Sequence, residues 1–155
     1  MHLTFQPMDE AAASQVTTWQ YPAPYDMYNP REDDITHFTD PTNAYFAIMD
    51  EWGTLIAYRC FGTDAQVSGG DYRADALDTG GGMRPYLVGR GLGLIVMEAG
   101  LEFGQNLFAP PAFRVTVAAW NGRALRVCEK AGFHPVQHFA HARDGRPFVV
   151  LVRPA

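Results

Sequence analysis

Residues 2–8 (HLTFQPM) alternate between apolar and polar positions and predict a first strand. In residues 8–19 (MDEAAASQVTTW) acidic residues lead and apolar ones recur later, the order expected of a first helix. The pattern breaks over residues 20–30 (QYPAPYDMYNP), where Pro22, Pro24 and Pro30 exclude a long regular helix and the segment, with Tyr21, Tyr25 and Tyr28, is an ordered aromatic loop or a broken helix. A short helix is predicted in residues 31–41 (REDDITHFTDP). Residues 43–50 (NAYFAIMD) and 54–62 (TLIAYRCFG) then form a strand pair joined through Asp50, Glu51, Trp52 and Gly53.

A further strand spans residues 75–83 (DALDTGGGM). Its Gly80, Gly81 and Gly82 suit a bulge or a close backbone approach better than an ordinary strand. Residues 83–104 (MRPYLVGRGLGLIVMEAGLEFG) place Gly89, Gly91 and Gly93 at alternate positions and pass into a helix whose predicted apolar face is Leu92, Ile95, Val96, Ala99 and Phe103. A strand in residues 113–119 (FRVTVAA) and a helix over residues 121–131 follow. The chain closes with a hairpin of residues 132–142 (GFHPVQHFAHA) and 146–153 (RPFVVLVR), turning at Asp144 and Gly145. The predicted order is β-α-α-β-β-β-α-β-α-β-β, with no internal repeat.

Composition narrows what such a chain can do. At 155 residues, 47% of them apolar, it is the length of one domain and can fill a core without metals or disulfides. A net charge of -5 with no basic run argues against nucleic acid as a partner. No stretch approaches the roughly 18 apolar residues of a membrane span, and Cys60 and Cys128 form no CxxC pair, so a cytoplasmic protein with neither membrane nor metal is expected.

The glycine-rich turn is the first candidate for chemistry. Glycine reaches positive φ and lets a ligand approach without a Cβ in the way. The first turn of a helix leaves N–H groups unpaired at the positive end of its dipole, which suits a phosphate; the alternative is a loop that needs glycines only to turn and to pack a helix against a sheet. A P-loop is excluded, because no GK[ST] is present, and the spacing does not continue as GxGxxG. A second motif lies in residues 121–133 (NGRALRVCEKAGF), which begin with the capping residue Asn121, put Ala124, Val127, Cys128 and Ala131 on one face, and stop at Gly132.

Together these motifs resemble the GCN5-related N-acetyltransferase (GNAT) superfamily. Met83-Arg84-Pro85 stands for its V-x-P segment and Gly91 and Gly93 for its loop glycines. Asn121, Ala124, Glu129, Lys130, Gly132 and Phe133 stand for its second helix motif. Two positions depart: Val88 replaces the usual Arg or Gln, with Arg90 two residues later, and Cys128 replaces the usual Tyr acid.

The resemblance implies an α+β fold with a mixed, mostly antiparallel sheet of about seven strands, splayed centrally and flanked by helices on both faces. It implies acetyl-CoA as co-substrate, held by Gly82, Met83, Arg84, Gly89, Arg90, Gly91, Leu92, Gly93, Leu94 and Asn121. It further implies direct acetyl transfer to a primary amine of a small molecule or peptide. A catalytically inactive acyl-CoA-binding module is the alternative. Asp78 is the candidate general base and Cys128 a candidate acid, each with a structural alternative: a backbone-bonded turn or bulge residue and a buried core residue. Tyr21, Tyr25, Asp26 and Tyr28 fall where the family lines its acceptor site, with aromatic packing as their alternative role. Asp26, Glu32, Asp33, Asp34 and Asp40 could attract a cationic amine or form a solvated face. His134, His138 and His141 are strand decoration, since the third points away from the other two. The last hairpin offers an edge for a homodimer.

Overall fold

The computed structural model describes every residue, Met1–Ala155. Seven strands hydrogen-bond in the order β1-β2-β3-β4-β5-β7-β6 to form an open mixed sheet with four helices. In chain order the elements are β1 (Thr4–Pro7), α1 (Glu10–Val16), α2 (Ile35–Thr39), β2 (Tyr45–Met49), β3 (Leu55–Phe61), β4 (Leu77–Met83), α3 (Gly93–Phe108), β5 (Ala112–Ala118), α4 (Gly122–Lys130), β6 (His134–Ala140) and β7 (Pro147–Pro154). The predicted order of strands and helices is the observed one. None of the helices is long and apolar enough to cross a membrane.

The chain divides into two compact units: residues 1–60 with 81–92, and residues 61–80 with 93–155. In the first unit β2 pairs antiparallel with both β1 and β3. Asp9 caps α1 by accepting the Ala12 N–H at 2.8 Å. The helix is shorter than its pattern predicts. Thr17 and Thr18 turn their hydroxyls onto the Ser14 and Gln15 carbonyls, a bond that competes with continued helix, and the chain leaves at Trp19. Ala12, Ala13, Val16, Trp19 and Phe38 form a buried core with Ala47 and Leu55.

In the second unit β5 pairs antiparallel with β7 over its full length, and β7 pairs with β6. β4 runs parallel to β5, with Leu77 opposite Phe113 and Asp78 opposite Arg114. The register of β6 shifts between Pro135 and Gln137, where proline cannot donate to the ladder; β6 is an edge strand of the sheet, the position that tolerates this.

The buried face of α3 differs from the predicted one. Val96, Met97, Gly100, Leu101 and Gly104 are buried, whereas Ile95 is 46% exposed. The pattern counted glycine as a gap in the apolar stripe, but here glycine is the contact: a Cβ on Gly104 would lie 2.6 Å from the Phe61 ring and 3.1 Å from that of Phe113. At the start of the helix, a Cβ on Gly93 would lie 3.2 Å from Val127 of α4.

Candidate functional site

The glycines flagged in the sequence fall into two physical groups. Gly81 and Gly82, in β4, are required by the protein itself: a Cβ on Gly81 would collide with the Tyr58 carbonyl oxygen, and one on Gly82 would lie 2.8 Å from the Tyr58 ring and hydroxyl. The close approach expected at this triplet is made by β3. Gly89 and Gly91 are different. They hold φ of +81° and +78°, and a Cβ on either would meet nothing within 4 Å. Their backbone is open on the side where a side chain would stand, in the turn that leads to Gly93 and α3. Arg90 and Gly91 are exposed, and Leu92 and Leu94 half-buried.

Met83 and Arg84 are held within the first unit. The Arg84 N–H donates to the Ile56 carbonyl at 2.8 Å. Its guanidinium donates from Nε to the Leu55 carbonyl at 2.8 Å and from Nη2 to Gln15 at 3.2 Å, and lies over the rings of Trp19 and Tyr86. Arg84 therefore has a structural task whatever else it touches. The Met83 carbonyl accepts the Tyr21 hydroxyl at 2.6 Å.

Tyr21 brings the aromatic loop to the end of β4. Tyr25 and Asp26 begin a 3-10 turn, Tyr25–Tyr28, in which Tyr25 is half-buried while Asp26 and Tyr28 are exposed. Burial pushes the Tyr21 phenol up to about 12, and burial raises that of Tyr58 further, with Tyr21, Cys60 and Asp34 adding to the shift. The sign of the linkage follows. A phenol of raised pKa contributes stability that is complete below its ordinary value of 10.0 and is lost as pH rises through about 12. The urea midpoint is accordingly expected to fall between pH 10 and 12, and to fall less in Tyr21→Phe. An equal fall in the two proteins would remove Tyr21 from the account.

Asp78 lies in the second unit, only 6% exposed, and Arg114, its opposite number on β5, is 5% exposed. Arg114 donates from Nε to Oδ1 at 2.7 Å and from Nη2 to Oδ2 at 2.8 Å, and Gln66 donates to Oδ2 at 2.9 Å. The guanidinium is further held by the Arg73 carbonyl and Asp75, and lies over the Tyr72 ring. A carboxylate so paired is a poor candidate for taking a proton from a substrate, because each oxygen is already an acceptor in a buried ion pair. The structural alternative for Asp78 is the better fit, with the side chain of Arg114 as its partner rather than backbone.

Cys128 is buried on the inner face of α4, and Asn121, also buried, caps that helix by accepting the Ala124 N–H at 3.1 Å. His134 and His138 are exposed on β6. His141 lies beyond that strand, with Nδ1 accepting the Arg143 N–H at 3.1 Å. Arg114, Gln66 and Tyr58 were missed in the sequence. A single charge inside the apolar run AFRVTVA was the available signal for Arg114, since a buried guanidinium demands a carboxylate.

Charge is divided unevenly along the chain. The first unit has nine carboxylates and four arginines, giving -5, while the second has eight acidic and eight basic residues, giving zero.

No family model and no curated protein matches the sequence. Solved structures do match. An acetyltransferase of the GNAT family from Bacillus anthracis aligns over 99% of this chain and 95% of its own, with TM-score 0.78 and 14% identity. The fold is that of the GNAT acetyltransferases. A GNAT-fold chimera of the spermidine N-acetyltransferase SpeG from Vibrio cholerae with hSSAT covers 98% of this chain and 95% of its own, with TM-score 0.75 and 15% identity. The aminoglycoside acetyltransferase AAC(6')-Ib in complex with coenzyme A covers 99% of this chain and 95% of its own, with TM-score 0.75 and 20% identity. The GNAT likeness thus spans nearly the whole chain, the aromatic loop included.

Proposed function

We propose that the protein is an acyltransferase that moves an acetyl group from acetyl-CoA to a primary amine. The observation that carries this reading is the turn at Gly89 and Gly91, whose backbone stands open at positive φ just before α3, in a fold shared with a coenzyme A-bound acetyltransferase. Amide groups of Gly89, Arg90, Gly91, Leu92, Gly93 and Leu94 are assigned to the pyrophosphate, where glycine-rich backbone and a helix N-terminus favour an anion. Gly82, Met83, Arg84 and Asn121 are assigned to the pantetheine arm. Val88 costs little here, since backbone rather than a side chain holds the phosphates.

The chemistry is attack of a neutral amine on the thioester carbonyl, in a complex holding both substrates. An alkylammonium has a pKa of about 10 and must first lose its proton, whereas the departing thiol, near 8.5, leaves readily without a strong acid. A buried Cys128 in place of a tyrosine is therefore tolerable. Asp78 is left out of the proton transfer because Arg114 and Gln66 occupy its oxygens. Tyr21, Tyr25, Asp26 and Tyr28 are assigned to the acceptor. The excess negative charge of the first unit, and structural neighbours named for spermidine and aminoglycosides, support a cationic small-molecule amine. Cys60 and Cys128, both buried and neither in a disulfide, suit a reducing cytoplasm.

A second reading, an acyl-CoA-binding module without turnover, draws on the same ion pair at Asp78 and on Cys128. Calorimetric titration with acetyl-CoA, ATP and NAD separates these proposals from an unrelated nucleotide-binding protein. Micromolar acetyl-CoA binding with no heat from the nucleotides is expected. Thiol release with a panel of spermidine, an aminoglycoside, an amino acid and a peptide then decides between turnover and binding alone. Absence of acetyl-CoA binding would remove both readings.

A further inference from the structure

Residues 20–30 carry little regular structure, one 3-10 turn between prolines, and most of their side chains face solvent. Tyr21 fastens this segment at two points. Its backbone N–H donates to Asn29 Oδ1 at 2.7 Å, closing the loop on itself. Its hydroxyl donates to the Met83 carbonyl at 2.6 Å, a residue 62 positions away. The same peptide group passes the interaction on, because the Arg84 N–H donates to the Ile56 carbonyl at 2.8 Å. Hydroxyl, peptide and carbonyl make a chain in which each bond polarises the next. Burial keeps the phenol protonated, and hence a donor, well above neutral pH. Met83 ends the triple-glycine strand, whose last residues the proposed function gives to acetyl-CoA.

We infer that Tyr21 is a positioning residue for acetyl-CoA: its hydroxyl fixes the Met83–Arg84 peptide and makes order in the 20–30 loop and binding of acetyl-CoA depend on each other. The inference rests on the acetyl-CoA reading above. It assigns Tyr21 to the donor side as well as to the acceptor loop. Linkage makes the effect reciprocal, so whatever the ordered loop adds to acetyl-CoA affinity, bound acetyl-CoA returns as added order in the loop.

The test compares wild type with Tyr21→Phe, which removes one oxygen and leaves the ring. Acetyl-CoA is titrated calorimetrically, and amide hydrogen exchange is followed with and without it. Expected are about fivefold weaker binding, as for loss of one net hydrogen bond, and faster exchange of the Arg84 amide. Acetyl-CoA should slow exchange of residues 20–30 in wild type but not in the variant. A purely structural tyrosine would lower stability while leaving both the affinity of the folded protein and the ligand-induced protection unchanged, and that result overturns the inference. Asn29→Ala loosens the loop from its other end and is expected to weaken acetyl-CoA binding in the same direction; wild-type affinity there also counts against the coupling. If wild type itself shows no acetyl-CoA binding, the proposed function fails first, before any variant is made, and the inference fails with it.

Discussion

Arg114→Met is expected to destabilise the protein by about 3–5 kcal/mol in equilibrium chemical denaturation, the cost of leaving one member of a buried ion pair alone. The methionine keeps the bulk of the side chain but withdraws both donors, so the Asp78 carboxylate keeps only Gln66 in a site where it is 6% exposed. The double variant Asp78→Leu/Arg114→Met should recover much of that loss, because an apolar pair of similar volume incurs no charge-burial penalty. A single variant within about 1 kcal/mol of wild type would mean that solvent reaches the pair, contrary to its geometry. The result bears on catalysis. Loss of activity in Asp78→Ala is expected to track loss of folded protein, so activity alone cannot identify Asp78 as a base; the folded fraction has to be measured beside it.

The second large effect is expected at Gly81. An alanine there drives its Cβ into the carbonyl oxygen of Tyr58, and a backbone atom of β3 has no rotamer by which to escape. A loss of about 3 kcal/mol, at the upper end for overpacking, is expected in thermal or urea unfolding. Gly89→Ala is the informative contrast. Its methyl meets open space and the cost is the positive φ alone, about 1–2 kcal/mol. Gly89→Ala should therefore remain folded and serve for measuring acetyl-CoA affinity, whereas Gly81→Ala should not. Equal stability of the two variants would show that β3 and β4 can separate at this point.

The order of elements was legible because each has a local signature: alternation in β2 and β3, the capping asparagine and closing glycine of α4, and prolines that interrupt the 20–30 loop. What was not legible depends on partners distant in sequence. Asp78 reads as a free carboxylate near a candidate site until Arg114, 36 residues on, is placed opposite it. The close approach that Gly81 and Gly82 signal has no visible partner until β3 brings Tyr58 against them. The buried face of α3 was misjudged for a related reason. Hydrophobic periodicity scores side chains, whereas Gly104 contributes by having none, and the aromatic ring that requires it to be bare belongs to Phe61 in β3. The positive φ of Gly89 and Gly91 was legible because that requirement is conformational and local.

The two compact units are each assembled from two separate segments, with boundaries at Cys60/Phe61, Gly80/Gly81 and Leu92/Gly93. A single genetic crossover between this gene and a relative cannot therefore exchange one unit intact. Any one breakpoint leaves at least one unit with segments of mixed parentage, which must fit one another at contacts such as Gly81 against Tyr58 or Asp78 against Arg114. Recombination that exchanges one unit whole needs all three breakpoints, and two of them fall beside the glycines of β4 and of the turn before α3.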